Sequence, residues 1–371
     1  MSDQDLIYKI GLTLVKGVGD VIAKQLIKAV DNNIEQLFRE KKQLLERLPG
    51  ISSRIVSSLQ DPEVLRRAEQ ELKFIQKNRI RMLFINDADY PQRLRDCIDS
   101  PVLLYYKGNA DLNTQRIISI VGTRHATEYG RNIIEQIVSG LAAFYPDLLV
   151  VSGLAYGIDI IAHREALNFG LNSIGVLAHG LDRIYPSQHR NTAINMIENG
   201  GLLTEFISGT NPDRQNFVMR NRIVAGMSDG TLVVESAIKG GALITSDLAF
   251  GYGRDVLAIP GRHSDVYSQG CNKIIKENKA ALVESAEDIV KALCWDAVTP
   301  TKQKAPVQTQ LFSDLTEQEQ VVYDILRINE LQLNLLSIQC DMPIHRLTSL
   351  LFEMEMKGIV RCLPGGIYKI N

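Results

Sequence analysis

The chain has 371 residues, 45% of them apolar and 23% charged, the balance of a globular protein with room for two or three domains. Its formal net charge is only -2 at pH 7, so a polyanion must be met by a local basic surface and not by the field of the whole molecule. The five cysteines, Cys97, Cys271, Cys294, Cys340 and Cys362, are scattered and form no CxxC pair. That excludes a disulfide framework and a zinc knuckle and fits a reducing cytoplasm, while the lack of any run of about 18 apolar residues leaves no membrane segment.

Residues 6–83 read as helical throughout, with breaks at Lys16-Gly17-Val18-Gly19 and Leu48-Pro49-Gly50-Ile51, each followed by an apolar-periodic helix. The pattern suggests a domain over 1–83 built from helix-hairpin-helix units, SAM-like in kind. In that motif a glycine turn presents backbone N–H groups to a DNA phosphate. Such turns equally serve plain chain reversal, and Asp20, Ser52 and Ser53 make this a weak surface for a polyanion.

A second domain over 84–295 alternates strand-like and helix-like runs. IISIV (117–121), LLVV (148–151), SIGVL (173–177) and the runs at 202–204, 232–234 and 256–259 read as buried strands, and 128–144, 159–169 and 193–199 as helices between them. Strands apolar on both faces and separated by helices predict an α/β fold with a parallel, doubly wound sheet. Ligands of such sheets sit outside the carboxyl ends of the strands.

Residues 296–313, rich in Pro, Thr and Gln, read as a linker to a third domain over 314–371. There, helices at 315–327, 333–339 and 343–357 precede a strand-like pair at 359–363 and 367–370 around Pro364-Gly365-Gly366, the order of a winged helix. Its third helix would be the DNA reader. Glu353 and Glu355 offset His345, Arg346 and Lys357 on that helix, so a protein-contact or structural role fits at least as well as groove binding.

The predicted strands end in turns of small residues: Val121-Gly122-Thr123-Arg124, the segment from Ser152 and Gly153 to Gly157, Gly180-Leu181-Asp182, and Lys239-Gly240-Gly241 opening a helix over 242–250. A helix start preceded by glycines offers unpaired N–H donors and a favourable dipole to an anion, and Arg124 adds a bidentate phosphate contact. Further bases gather around these turns, among them Arg190, Arg214, Arg220, Arg222 and Lys239. Phe217, read as lying in a loop between Arg214 and Arg220, offers either a base-stacking platform or a core side chain. These features fit a mononucleotide and a nucleic-acid backbone alike, whereas the absence of GxxxxGK[ST] and of a strand-following GxGxxG speaks against P-loop and dinucleotide sites.

No catalytic, metal or cofactor constellation emerges. Asp159 and His163 share a helix face but lack a third ligand, and Asp159 fits better as a helix cap. Ser152 lies in VVSGL, not in the GxSxG of a nucleophile elbow. Glu235 ends a strand beside the cradle, where a carboxylate serves a glycosidic-bond hydrolase or holds Arg220 or Arg222.

The ordered set VGTR (121–124), SGLAYGIDIIAH (152–163), GLDRIYP (180–186), NFVMRNRIVAG (216–226), VVESAIKGGALIT (233–245), AIPG (258–261) and SQGCNKII (268–275) resembles the bacterial DNA-processing protein A family, DprA or Smf. The resemblance runs from about residue 90 to 290. It implies an extended Rossmann-like domain that binds single-stranded DNA in a basic pocket, forms a homodimer, protects incoming DNA and loads the RecA recombinase during natural transformation, without catalytic turnover. By motif position, Arg124 would hold a phosphate together with Gly122, and the Ser152-Gly153 turn and the Lys239-Gly240-Gly241 helix start would supply donors. Arg220 and Arg222 would line the pocket, Arg214 and Phe217 would be the basic residue and stacking aromatic, and Arg190 would be a basic contact in a loop that lacks lysine. Tyr156 stands where many members carry arginine, and Val218 where FPxRNR carries proline. The alternative is a nucleoside monophosphate phosphoribohydrolase of the related Rossmann-like type, whose PGGxGT cradle is replaced here by Lys239-Gly240-Gly241-Ala242.

Overall fold

Short Val-, Ile- and Leu-rich runs without polar alternation become strands buried on both faces. The computed structural model describes residues 2–40, 45, 51–295, 315–327, 331–357, 359–363 and 367–370, so the predicted linker, the turn at 48–50 and the hairpin tip at 364–366 lie outside the described residues. Residues 1–300 form one unit and 301–371 another.

In the first unit, β1 (Arg81–Phe84), β2 (Leu103–Gly108), β3 (Ile117–Val121), β4 (Leu149–Ser152), β5 (Asn172–Val176), β6 (Gly200–Thr204), β7 (Gly230–Val233), β8 (Asp255–Ala258) and β9 (Ala281–Leu282) make one sheet. Its order is β1-β2-β6-β5-β4-β3-β7-β8-β9. From β6 to β9 the strands are parallel, and β2 and then β1 extend the β6 edge antiparallel. The chain therefore steps outward from β3 to β6 and returns to lay β7 against the other side of β3. The doubly wound α/β reading holds. The antiparallel strands β1 and β2 were not legible, and the domain boundary read after residue 83 falls within β1.

Alternate residues of the strands feed two cores. Ile118, Ile120, Val150, Leu202, Leu232 and Leu257 face the helices Glu128–Phe144, Ile158–Asn168, Arg190–Glu198 and Ala286–Ala292. Ile117, Val121, Leu149, Val151, Leu203 and Val233 belong to the opposite core, which also takes in Ile10, Leu12, Leu26 and Leu37 of the N-terminal helices. The Glu128–Phe144 helix has the bounds read from sequence, because Thr127 caps it by accepting from the Gly130 N–H. Among the N-terminal helices, Asp3–Leu14 packs on Pro62–Lys77, and Gly17, at φ +91°, turns the chain ahead of Asp20–Ala29. No described helix is long and apolar enough to cross a membrane.

The second unit places helices Glu317–Leu326, Leu333–Gln339 and Ile344–Met356 around a small sheet of β10 (Leu331–Gln332), β12 (Ile367–Ile370) and β11 (Val360–Leu363), in that order. This is the winged-helix arrangement, with Val322, Leu336, Leu347, Leu351 and Met354 at its core. Glu319 completes a capping box with Thr316 and also accepts from Lys357 Nζ at 2.7 Å, so that lysine is already paired. The exposed side of the third helix presents Ile344, Phe352 and Met356.

Candidate nucleic-acid interface

The reversal of strand order between β3 and β7 opens a crevice at their carboxyl ends, where open α/β sheets bind ligands. A cleft of about 270 Å³ occupies it, walled by Gly122, Thr123 and Arg124 after β3, Ala155 and Asp159 after β4, and Ala237, Gly240 and Gly241 after β7. The turns stand close because glycine allows it. Gly157 has φ +77°, and a Cβ there would lie 2.1 Å from the Thr123 carbonyl oxygen, which instead accepts from the Ile158 N–H at 3.1 Å.

The fourth wall corrects the sequence reading. The segment from Arg214 to Phe217 is not a loop but the first turn of a helix, Arg214–Gly226, that lies across the sheet end. Phe217, Arg220, Asn221 and Val224 line the cleft at the i, i+3, i+4, i+7 spacing of one helical face. Arg220 is 4% exposed and its guanidinium lies directly over Gly153, where a Cβ would come within 1.6 Å of Nη1. Burial lowers its pKa to about 10; Asp159 acts in the opposite sense and Arg124 reinforces the lowering. Burial likewise raises the pKa of Asp159 against the attraction of Arg220. Arg220 Nε is buried without a hydrogen-bond partner, so the cleft floor is a desolvated cation short of acceptors.

Above this floor the bases are open. Arg124 is exposed and its guanidinium lies 5.4 Å from the centre of the Phe217 ring, while Tyr185 flanks the same ring at 6.1 Å. Phe217 is half-buried, an aromatic ledge at the cleft mouth and not a core side chain. Arg214 and Lys239 are exposed and have no carboxylate partner among the described residues. Gly240 caps the helix Gly241–Gly251 without a side-chain acceptor, and the N–H groups of Gly241 and Ala242 make no backbone hydrogen bond among the described residues. Those donors and the helix dipole point an electropositive end at the cleft.

Other residues expected here are used differently. Ser152 is fully buried and donates to the Ile120 carbonyl oxygen at 2.6 Å, and the Gly153 N–H donates to Asp159 Oδ2 at 3.2 Å, so neither offers a donor to a ligand. Arg222 lies two residues beyond Arg220, about 200° around the helix, and turns away from the cleft. It donates to the Asp99 carbonyl oxygen, to Asp20 Oδ2 at 3.0 Å and to Glu205 Oε2. Arg190 is exposed in a separate groove with Lys107 and Arg183, outside the cleft.

The candidate catalytic groups are likewise engaged. Glu235 holds neither Arg220 nor Arg222; its carboxylate accepts from Thr127 N at 3.0 Å and from Thr127 Oγ1 at 2.5 Å, fixing the start of the Glu128–Phe144 helix. His163 is fully buried and its Nε2 accepts from the Leu154 N–H at 3.2 Å, so the neutral ring carries its proton on Nδ1 and donates to Ser173 Oγ at 2.7 Å. Burial depresses its pKa to about 3, with Arg220 and His189 adding to the effect. His189 Nδ1 donates to the Leu154 carbonyl oxygen at 2.9 Å, so two histidines clamp a residue held at φ +52° between Gly153 and Ala155. No group of three potential metal ligands occurs among the described residues. Asn221 and Tyr185 are residues at the cleft that sequence reasoning missed, and Asp159, read there as a helix cap, lies past the Gly157 cap and accepts from the Gly153 N–H instead; the helical spacing of Phe217, Arg220 and Asn221 was the signal available.

Residues 81–294 match the family model described as DNA recombination-mediator protein A, and residues 305–366 that of the DprA winged helix domain. The chain is 40% identical over 206 residues to DNA processing protein DprA of Streptococcus pneumoniae, covering 56% of this chain and 72% of that protein. It is 30% identical over 309 residues to protein Smf of Escherichia coli, covering 82% of this chain and 81% of that protein. Among solved structures, DprA of Streptococcus pneumoniae superposes with a TM-score of 0.64 at 32% identity, over 78% of this chain and 98% of that one. DNA processing protein A of Helicobacter pylori, described with a single-stranded DNA binding mode, gives 0.53 at 26% identity, over 59% and 97%.

Proposed function

The chain belongs to the DNA recombination-mediator protein A family, and from that membership and the cleft we propose that it binds the backbone of single-stranded DNA at the carboxyl ends of β3 and β7. The observation that carries the reading is Arg220: a desolvated, under-partnered cation at the floor of a cleft whose mouth holds Arg124, the aromatic ledge of Phe217 and the free N–H groups of Gly241 and Ala242. A phosphodiester satisfies these donors, and a splayed base stacks on Phe217. The ledge and the open flanking bases Arg214 and Lys239 favour a polymer over a free mononucleotide. In this reading the protein is a cytoplasmic, non-catalytic homodimer that protects incoming DNA and loads RecA in natural transformation. The engagement of Glu235 by Thr127 supports the absence of turnover.

The test is a titration of a labelled oligonucleotide, single-stranded against double-stranded, at two salt concentrations. Phosphate contacts from Arg124, Arg214, Arg220 and Lys239 set a salt slope near -2.8, so a fourfold rise in salt weakens binding about 50-fold. Arg124→Ala lowers affinity across sequences and flattens the slope by about 0.7. Parent-like binding by that variant at moderate salt rules out the cleft as the site. Release of base from a nucleoside monophosphate, abolished by Glu235→Gln, would instead establish the hydrolase.

A further inference from the structure

The rear of the cleft helix is held by a buried charge cluster. Arg222 joins three segments at once: Asp20, in the first turn of the N-terminal helix Asp20–Ala29; the carbonyl of Asp99, in the loop before β2; and Glu205, just after β6. Asp20 Oδ1 also accepts from the Val102 N–H at 3.2 Å, and Lys24, one turn further along, donates to the Cys97 and Ile98 carbonyl oxygens and to Ser100 Oγ. Tyr252 closes the cluster by donating to Asp99 Oδ1 at 2.7 Å. The side chain of Arg222 is 9% exposed and that of Glu205 10%, so the pairs are little screened and geometrically demanding.

We propose that Arg222 and Asp20 are positioning residues for DNA binding, through which the N-terminal helices set the rotation of the Arg214–Gly226 helix and hence the seat of Arg220 and Phe217. This rests on the single-stranded DNA reading. The physical basis is the opposition of the two arginines: a helix gripped from behind by a planar fork on three fixed acceptors resists rolling, and at the front the Arg220 guanidinium sits so close over Gly153 that even an added Cβ would clash with it at 1.6 Å, which leaves little room for a roll. Neither Asp20 nor Arg222 lines the cleft.

The experiment measures oligonucleotide affinity, its salt slope and the melting temperature of the full chain for Arg222→Lys, Asp20→Asn and Leu37→Ala. The last variant thins the same helical layer at a fully buried position that carries no group of the cluster. Arg222→Lys and Asp20→Asn are expected to weaken binding about fivefold or more while leaving the salt slope unchanged, since no phosphate contact is removed. Leu37→Ala is expected to lower the melting temperature and leave affinity intact. A slope flattened by about 0.7 in Arg222→Gln, measured alongside because lysine keeps the charge, makes Arg222 a direct contact and overturns the proposal. So does unchanged affinity in both cluster variants, or an equal loss in Leu37→Ala. A parent that binds no single-stranded DNA at any salt sinks the binding reading itself, and the inference with it.

Discussion

Gly153→Ala isolates the seat of Arg220 with a single methyl group. The backbone φ at Gly153 is not positive, so alanine fits the chain conformation. Its Cβ, however, would stand 1.6 Å from Nη1, 2.3 Å from Cζ and 2.4 Å from Nη2 of Arg220. With ordinary contacts near 3.5–4.0 Å, the guanidinium must retreat by about 2 Å. The displaced group is the far end of a flexible side chain, so the fold survives with an overpacking cost of about 1–3 kcal/mol. A hydrogen bond to a charged partner contributes about 1.5–3 kcal/mol, so losing the Arg220 contact weakens oligonucleotide binding roughly ten- to a hundredfold. Fluorescence anisotropy on Gly153→Ala, Arg220→Ala and the double variant completes a cycle. Because the methyl acts only through Arg220, the double variant is expected to bind like Arg220→Ala alone. Parent-like affinity in Gly153→Ala, or losses that add in the double variant, would refute the assignment of Arg220 to the ligand.

Three further outcomes follow from the same geometry. Phe217→Ala removes the ledge under Arg124 and is expected to cost about 1–3 kcal/mol of single-strand binding without changing the salt slope, as read in the same titration. Glu235→Ala strands the Thr127 N–H and hydroxyl and is expected to lower stability by about 1–3 kcal/mol in denaturant unfolding; a variant as stable as the parent contradicts the capping role. His163 has a folded pKa near 3, well below its unfolded value of about 6.5, so the unfolded chain takes up a proton that the fold refuses. Stability is therefore lost as pH falls from about 6.5 toward 3, by up to about 1.4 kcal/mol per pH unit. His163→Gln is expected to be less stable at pH 7.5 yet to lose less between pH 7 and 5 than the parent in thermal melts.

The sheet was legible because its central strands carry continuous apolar runs, as IISIV at 117–121 does. β1 and β2 escaped because RMLF and LLYYKG join the sheet antiparallel, β1 on β2 and β2 on β6, and the β2–β6 pairing spans about a hundred residues of chain. The Arg214–Gly226 helix escaped for another reason. RQNFVMRNR has polar residues all round, and such a segment shows no apolar stripe when both of its faces meet charged surroundings, the cleft on one side and the Asp20–Glu205 cluster on the other.

By itself the sequence determined the doubly wound sheet, the winged helix and the glycine turns at the strand ends, since these follow from local periodicity and from residues that permit close approach. Which of two neighbouring arginines faces the cleft was decided only by the tertiary structure. Arg220 and Arg222 are chemically identical and two positions apart; only when the helix is laid across the sheet does one lie over Gly153 beside Asp159 while the other pairs with Asp20 and Glu205. The direction of a helical side chain is set by what the helix packs against, and those partners are remote in the chain.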